Sequence, residues 1–273
     1  MAKWILAKLD VKRLLETSHT FVIADLGCSV GPNTFFVVQN IVETVIEKCS
    51  GCGIDIEGLE FQAFLNDKIT NDFNTLFSGY HKSQARSWMT SAAWNRGRIY
   101  IVDAPKDVTE AYRQQYTKDM EVFLDARAAE LVSGGLMALF LPMAPTSSNC
   151  TFYGMVLLLE SVFRELVAVD SFNIQYYSPT SAELKAVVAR DGRFVIEKIE
   201  RFERPKLERS QRIIDAIVMH LRAGWEGIIK AHFGDDVIEP LFERFKERVD
   251  QSSLLSDSGF VPLMEMLFLL KCL

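Results

Sequence analysis

The stretch FVIADLGCSVGPNTF, Phe21 to Phe35, decides the fold. An apolar run ends in an acid, and two glycines, a proline and an asparagine follow. Phe21 to Ala24 has the compact apolar character of a buried parallel strand. Beyond the turn, Thr34 to Lys48 carries Phe35, Val38, Ile41, Val42, Val45 and Ile46 at helical spacing. The order is strand, glycine turn, helix, the opening unit of an α/β sheet.

Working outward, the same alternation continues. Val11 to Glu16 reads as a short amphipathic helix before the turn. Leu59 to Leu65 reads as a second strand, closed by Asn66-Asp67. Thr109 to Leu131 is a long amphipathic helix that Gly134-Gly135 is expected to cap. Leu136 to Leu141 is a strand, Ala182 to Ala189 a helix and Phe194 to Glu200 a strand opened by Gly192. Met219 to Phe233 and Val237 to Val249 are helices joined at Gly234, and Leu263 to Lys271 is a last strand. This predicts a single α/β domain over residues 1–273 with a mostly parallel sheet. Asp25 and Asp67 fall at carboxyl ends of strands, where such sheets bind ligands.

Composition narrows the class. With 49% apolar and 24% charged residues, the 273-residue chain can bury a core without disulfides or structural metal. A net charge of −6 gives no field for nucleic acid or an anionic membrane. No apolar run is long enough to span a bilayer, and the charged N-terminus lacks a signal-peptide pattern, so a cytoplasmic protein is expected. The five cysteines are odd in number and scattered. Cys49-Ser-Gly-Cys52 spells C-x-x-C, but a zinc site needs a second ligand pair, and none has matching spacing. The other reading of that pair is a helix end running into a glycine-rich loop. No histidine has a partner pattern for acid–base work.

The opening turn departs from the dinucleotide pattern G-x-G-x-x-G. It has Gly27 and Gly31 but no third glycine, and Asn33 stands near that place. Asp25, just before the first glycine, suits a cationic or ammonium-bearing ligand better than a phosphate. That chemistry points to S-adenosylmethionine, with its sulfonium and amino acid. Asp67 would accept hydrogen bonds from both ribose hydroxyls. The plain alternative is a tight strand-to-helix turn with no ligand.

DLGCSVGPNT resembles the first motif of the plant salicylic acid/benzoic acid/theobromine (SABATH) carboxyl and N-methyltransferases. FLNDKITNDFNTLF, Phe64 to Phe77, is similar to their second. AWNRGRIY, AYRQQYTKDMEVFLDARAAELVSGGLMALFLP, VDSFNIQYYSP and MHLRAGWEGIIKAHFGDDVIEPLFERF follow in the family order. The resemblance implies a class I methyltransferase (Rossmann-like) fold, with cap helices mainly from 146–190 and 208–255, commonly as a homodimer. It implies methyl transfer from S-adenosylmethionine to a small carboxylic acid or a xanthine-like acceptor. By motif, Cys28, Asn33, Asp67 and Lys68 join Asp25 and Gly27 as cofactor-binding positions. Asn95, Asp170, Phe172 and Asn173 resemble a Mg2+ site of some members. One carboxylate and two amides make a weak oxygen set, and a surface turn before Pro179 is the competing reading.

Between Tyr80 and Trp94 the family has two further strands, leading to its adenine-holding and acceptor-binding motifs. Here HKSQARSWMTSAA fills that interval with neither, so the sheet is expected to lack those strands; Trp88 reads as a loop or packing residue. With the central neighbour gone, Leu136 to Leu141 is expected to pair directly with Phe21 to Ala24, because unpaired backbone groups in a central strand are costly. An ionised carboxylate needs no general base for in-line methyl transfer, so a missing catalytic triad is in character. Two alternatives are an inactive family remnant that pairs with full-length relatives and a Rossmann-type oxidoreductase; the long motif series argues against the second.

Overall fold

The computed structural model describes residues 8–16, 18–26, 33–66, 95, 97–144, 150–167, 169–174, 176–202, 208–257 and 261–273. In chain order the elements are α1 (Val11–Leu15), β1 (Thr20–Leu26), α2 (Asn33–Gly51), β2 (Glu60–Asn66), α3 (Lys106–Glu130), β3 (Leu136–Pro142) and α4 (Thr151–Leu166). Then come a 3-10 turn (Val169–Ser171), α5 (Ser181–Asp191), β4 (Phe194–Phe202), α6 (Gln211–Phe233), a second 3-10 turn (Asp235–Val237), α7 (Ile238–Gln251) and β5 (Glu265–Cys272).

β1 and β2 pair in parallel from Thr20↔Glu60 to Leu26↔Asn66. Their inner face joins α1 and α2 in a small core of Leu9, Val11, Val45 and Cys49, with Phe21 and Phe61 against it. Those two rings are register partners, with centroids 6.0 Å apart. The strand is not buried on both sides as expected. Ile23 is buried, whereas Val22 and Leu26 are exposed.

The remaining described strands form a separate sheet in the order β3-β5-β4. β5 is antiparallel to both neighbours, so β3 and β4 run in the same sense with one reversed strand between them. The parallel expectation therefore holds for β1 with β2 and for the sense of β3 and β4, and β5 is the exception. The expected direct pairing of Leu136–Leu141 with Phe21–Ala24 does not occur. The ladder hydrogen bonds of β3 go to β5 instead, in register from Leu136↔Lys271 to Pro142↔Glu265. Leu136 reaches the β1 side only through its side chain, which joins the small core.

α3 and α5 cover the β3-β5-β4 sheet around Leu124, Met137, Leu184, Val188, Phe194, Phe268 and Leu270. α3 ends at Glu130, one residue from the expected Leu131, and Leu131 rather than the glycine pair is its cap. Gly134, at φ 85°, makes the turn into β3 and donates its N–H to Cys272 O at 2.8 Å. α5 opens with a reciprocal capping box between Thr180 and Glu183 and closes on Gly192 in the left-handed region.

The largest core is helical. α4 contributes Met155, Val156, Leu159, Val162 and Phe163, and α7 contributes Ile238, Leu241, Phe242, Phe245 and Val249. Both sets follow the one-face spacing of an amphipathic helix. Ile214, Leu221 and Ile229 of α6 close the cluster, together with Ile99, Tyr100 and Val102 from the loop before α3. Gly154 of α4 lets Leu254 approach so closely that an added Cβ would sit 2.4 Å from Leu254 Cδ2.

Candidate functional site

The first part of the site is the shared carboxyl end of β1 and β2. The register sets Asp25 opposite Leu65 and Leu26 opposite Asn66, so the two strands finish flush. α2 begins at Asn33, and its first main-chain N–H groups have no partner within the helix. Asp25 is partly buried at the last turn of the pleat. Gly27, Cys28, Asp67 and Lys68 lie outside the described residues, as does Trp88. Both undescribed stretches leave from this one sheet end.

The second part joins the loop 95–102 to the segment 169–174, and the structure brings Asn95, Phe172 and Asn173 together there. Asn173 Nδ2 donates to three main-chain carbonyl oxygens: Phe172 at 2.6 Å, Arg98 at 2.7 Å and Asn95 at 3.2 Å. Those acceptors fix the amide orientation, so Asn173 Oδ1 is the atom facing the Tyr112 hydroxyl, 3.4 Å away. Asn95 is 1% exposed, and its Nδ2 donates to Tyr100 O at 2.6 Å. Its Oδ1 is buried with no hydrogen-bond partner. Asp170, on the 3-10 turn, places Oδ1 3.9 Å from where a Cβ on Gly97 would stand. Gly97 itself has φ +68°.

The surface turn that the sequence left open holds for Asp170, which is exposed, but not for its neighbours. Val169, Phe172 and Ile174 are buried in the helical core. Phe172 stacks on Phe163 at 5.6 Å and meets Phe233 at 5.1 Å. Ile174 N–H closes on Ile99 O at 2.6 Å. Oxygen atoms of this kind suit a hard cation, and the orphaned Asn95 oxygen is the one most in need of a partner.

The third part is aromatic. Tyr100 lies in the core, 1% exposed, with Phe152, Tyr153 and Tyr176 each 6.2 Å away between ring centroids. Trp225 packs edge-on to Phe152. The Tyr100 hydroxyl and Ser178 Oγ are both buried without a hydrogen bond of full geometry. Burial, reinforced by the neighbouring Tyr153 and Tyr176, pushes the Tyr100 phenol far above its ordinary range, although Ser178 nearby pulls slightly the other way. The cluster is apolar with two buried polar points.

Sequence reasoning missed Glu160, Arg164, Tyr112 and this aromatic set. Glu160 was findable, because it is a charge inside the apolar run VLLLESVF, and a buried carboxylate always has a partner to explain it. The C-x-x-C pair reads as helix-end packing. Cys49 is fully buried in the small core, and burial raises its thiol above the ordinary value. Cys52 is exposed in the turn that follows. His232 sits 3.0 Å from Ser171 Oγ. Among the described residues no three His, Cys, Asp or Glu side chains gather as a metal cluster. Nor is any helix long and apolar enough to cross a membrane.

Known proteins resemble this chain in sequence and fold. The family model of S-adenosylmethionine-dependent carboxyl methyltransferases matches residues 2–91 and 78–271 in two overlapping runs. A probable S-adenosylmethionine-dependent methyltransferase of Arabidopsis thaliana is 35% identical, over 90% of this chain and 82% of its own. Loganic acid O-methyltransferase of Catharanthus roseus is 32% identical over 90% and 79%. The 7-methylxanthine methyltransferase of Camellia ptilophylla is 31% identical over 81% and 77%. The solved structure of a loganic acid methyltransferase with SAH superimposes with a TM-score of 0.84 at 28% identity, over 99% of this chain and 90% of that one. The chain therefore belongs to the S-adenosylmethionine-dependent carboxyl methyltransferases, the family that its ordered motifs resemble.

Proposed function

We propose that this chain binds S-adenosylmethionine at the carboxyl ends of β1 and β2 and transfers its methyl group to the carboxylate, or the ring nitrogen, of a small plant metabolite. The observation that carries the reading is the flush end of the two strands, with Asp25 on one and the start of α2 beside it. Bound there, the cofactor supplies an electrophilic methyl on a sulfonium. Asp25, Gly27, Cys28 and Asn33 would hold the amino-acid end, and Asp67 with Lys68 the ribose. The relatives named above act on loganic acid and 7-methylxanthine, which supports both acceptor classes.

The residues present fit that chemistry. A carboxylate acceptor is ionised near neutral pH, so the chain need only bind, align and exclude water. The partly buried rings of Phe152, Tyr153 and Tyr176, packed around Tyr100, would offer the acceptor apolar contact. In-line alignment can supply most of the acceleration. Mg2+ also fits the second cluster. Asn95 Oδ1, Asp170, the Phe172 carbonyl and Asn173 would hold it, because one orphaned buried oxygen already waits there. With a single carboxylate the ion would keep several waters. We take α4, α6 and α7, within the ranges 146–190 and 208–255, as the cap, and a homodimer as the working assembly.

A second reading rests on a different observation. The alignment with the Arabidopsis relative runs over 298 positions, more than the 273 residues of this chain, so the relative has residues without a counterpart here. The two runs of the family match meet at 78–91, where the acceptor and adenine motifs were missed. A remnant without turnover, acting through dimerisation with full-length relatives, accounts for that gap.

Methyl-labelled S-adenosylmethionine, supplied with loganic acid, salicylic acid, benzoic acid and 7-methylxanthine in turn, tests the proposal. Label carried into an ester or N-methyl product, and lost in Asp67→Ala, is the expected result. A folded chain that labels none of a broadened acid and xanthine panel overturns it in favour of the remnant.

A further inference from the structure

Glu160 lies on α4 with its side chain 6% exposed, amid Leu159, Val162 and Phe163. A carboxylate there is held by specific partners or is very costly. Glu160 Oε2 accepts the main-chain N–H of Ile99 at 2.9 Å. Its Oε1 accepts from Arg164 at 2.6 Å. Arg164, half exposed one turn further along, also donates to Gly97 O at 2.6 Å. The pair thus grips both ends of the short stretch from Gly97 to Ile99. Asn173 holds the same loop from the other side through the carbonyls of Asn95 and Arg98. Between the two grips stand Asn95, with its orphaned Oδ1, and Gly97, in a left-handed conformation facing Asp170.

We infer that Glu160 and Arg164 are positioning residues for an oxygen-ligated divalent cation site, setting Asn95 Oδ1 relative to Asp170. The inference rests on the cation reading given above. An ion pair used only for stability would gain little from this place, since a buried carboxylate can be replaced by an apolar group at small net cost. What the pair provides is geometry: one carboxylate and one guanidinium satisfy two main-chain groups that α4 could not otherwise reach. The clamp holds main-chain atoms of Gly97 and Ile99. It acts through the backbone, as outer-shell partners of metal sites do.

Titration of the purified full chain with Mn2+, followed by electron paramagnetic resonance and competed with Mg2+, reads this without turnover. The wild-type chain is expected to bind one Mn2+ saturably, and Asn95→Ala to lose it. Glu160→Gln keeps the side-chain shape and is expected to weaken Mn2+ about tenfold, the usual outer-shell effect. Arg164→Ala, with its fold checked by circular dichroism, is expected to do the same, and Arg164→Lys to recover part of the loss. Arg248→Ala breaks a different ion pair to α4, at Glu165, and should leave Mn2+ affinity unchanged. Wild-type affinity in both Glu160→Gln and Arg164→Ala overturns the positioning role alone. An equal loss in Arg248→Ala also overturns it, since general loosening of α4 would then suffice. Absence of Mn2+ binding by the wild-type chain overturns the cation reading, and the clamp's role with it.

Discussion

Asn173 donates its side-chain amide to Arg98 O at 2.7 Å, across 75 residues of sequence. The same nitrogen serves the carbonyls of Asn95 and Phe172. Replacing it removes the donor for three oxygens at once, two of them from a loop packed in the helical core. Asn173→Ala should cost about 1–3 kcal/mol of unfolding free energy, the range for stranding buried polar groups. Asn173→Asp should cost more, because a carboxylate cannot donate and would face carbonyl oxygens. Urea unfolding without added cations checks both, and equal stability of Asp and Asn variants would contradict the assignment of the amide.

Gly154 and Leu254 make a second tight relationship. A Cβ at Gly154 would stand 2.4 Å from Leu254 Cδ2 and 3.3 Å from Cγ, so Leu254 must leave its rotamer. Gly154→Ala gains about 1 kcal/mol of helix propensity and loses about 1–3 kcal/mol to overpacking. Net destabilisation is expected. Adding Leu254→Ala should relieve the clash, so that Gly154→Ala is no longer harmful in that background. Additive losses in the double variant would show that the two sites do not touch.

Tyrosine ionisation offers a test by pH. Burial raises Tyr100, Tyr112, Tyr116 and Tyr176, and it raises Tyr153 to about 12. Tyr177 is raised by burial and by its hydrogen bond to Glu183. A phenol whose folded pKa lies above its unfolded value of about 10 binds its proton more tightly in the native state. The stability it contributes is complete below pH 10 and is lost as pH rises toward 12. Tyrosinate absorbance should therefore stay small near pH 10.5 and appear with unfolding at higher pH. A gradual rise centred on pH 10, with native circular dichroism retained, would contradict the burial of these rings.

Much of the fold was legible because it depends on local pattern. Strand β1, the helix α2 after it and the single face of α7 follow from spacing alone. What was not legible is long-range. Nothing in EMLFLLKC says that β5 enters antiparallel between β3 and β4, or that β1 and β3 belong to separate sheets. The end of α3 was legible to one residue, but its cap was not, because Gly134 bonds to Cys272 at the β3–β5 end and not to the helix. The site divides in the same way. Asp25 and Asn33 sit next to a readable turn, whereas the grip of Glu160 on Ile99 spans 61 residues and leaves only a charge in an apolar run as its trace. Asn95 and Asn173 were reached through resemblance. Their shared hydrogen bonds, and the orphaned oxygen between them, belong to the folded chain.

Binding tests a cofactor site at the ends of β1 and β2 more directly than turnover does. Calorimetric titration of the chain with S-adenosylhomocysteine, beside Asp67→Ala, is the measurement. Saturable binding at one site, lost in the variant, is the predicted result. A folded chain that releases no heat with S-adenosylhomocysteine would contradict the account and leave DLGCSVGPN as a turn without a ligand.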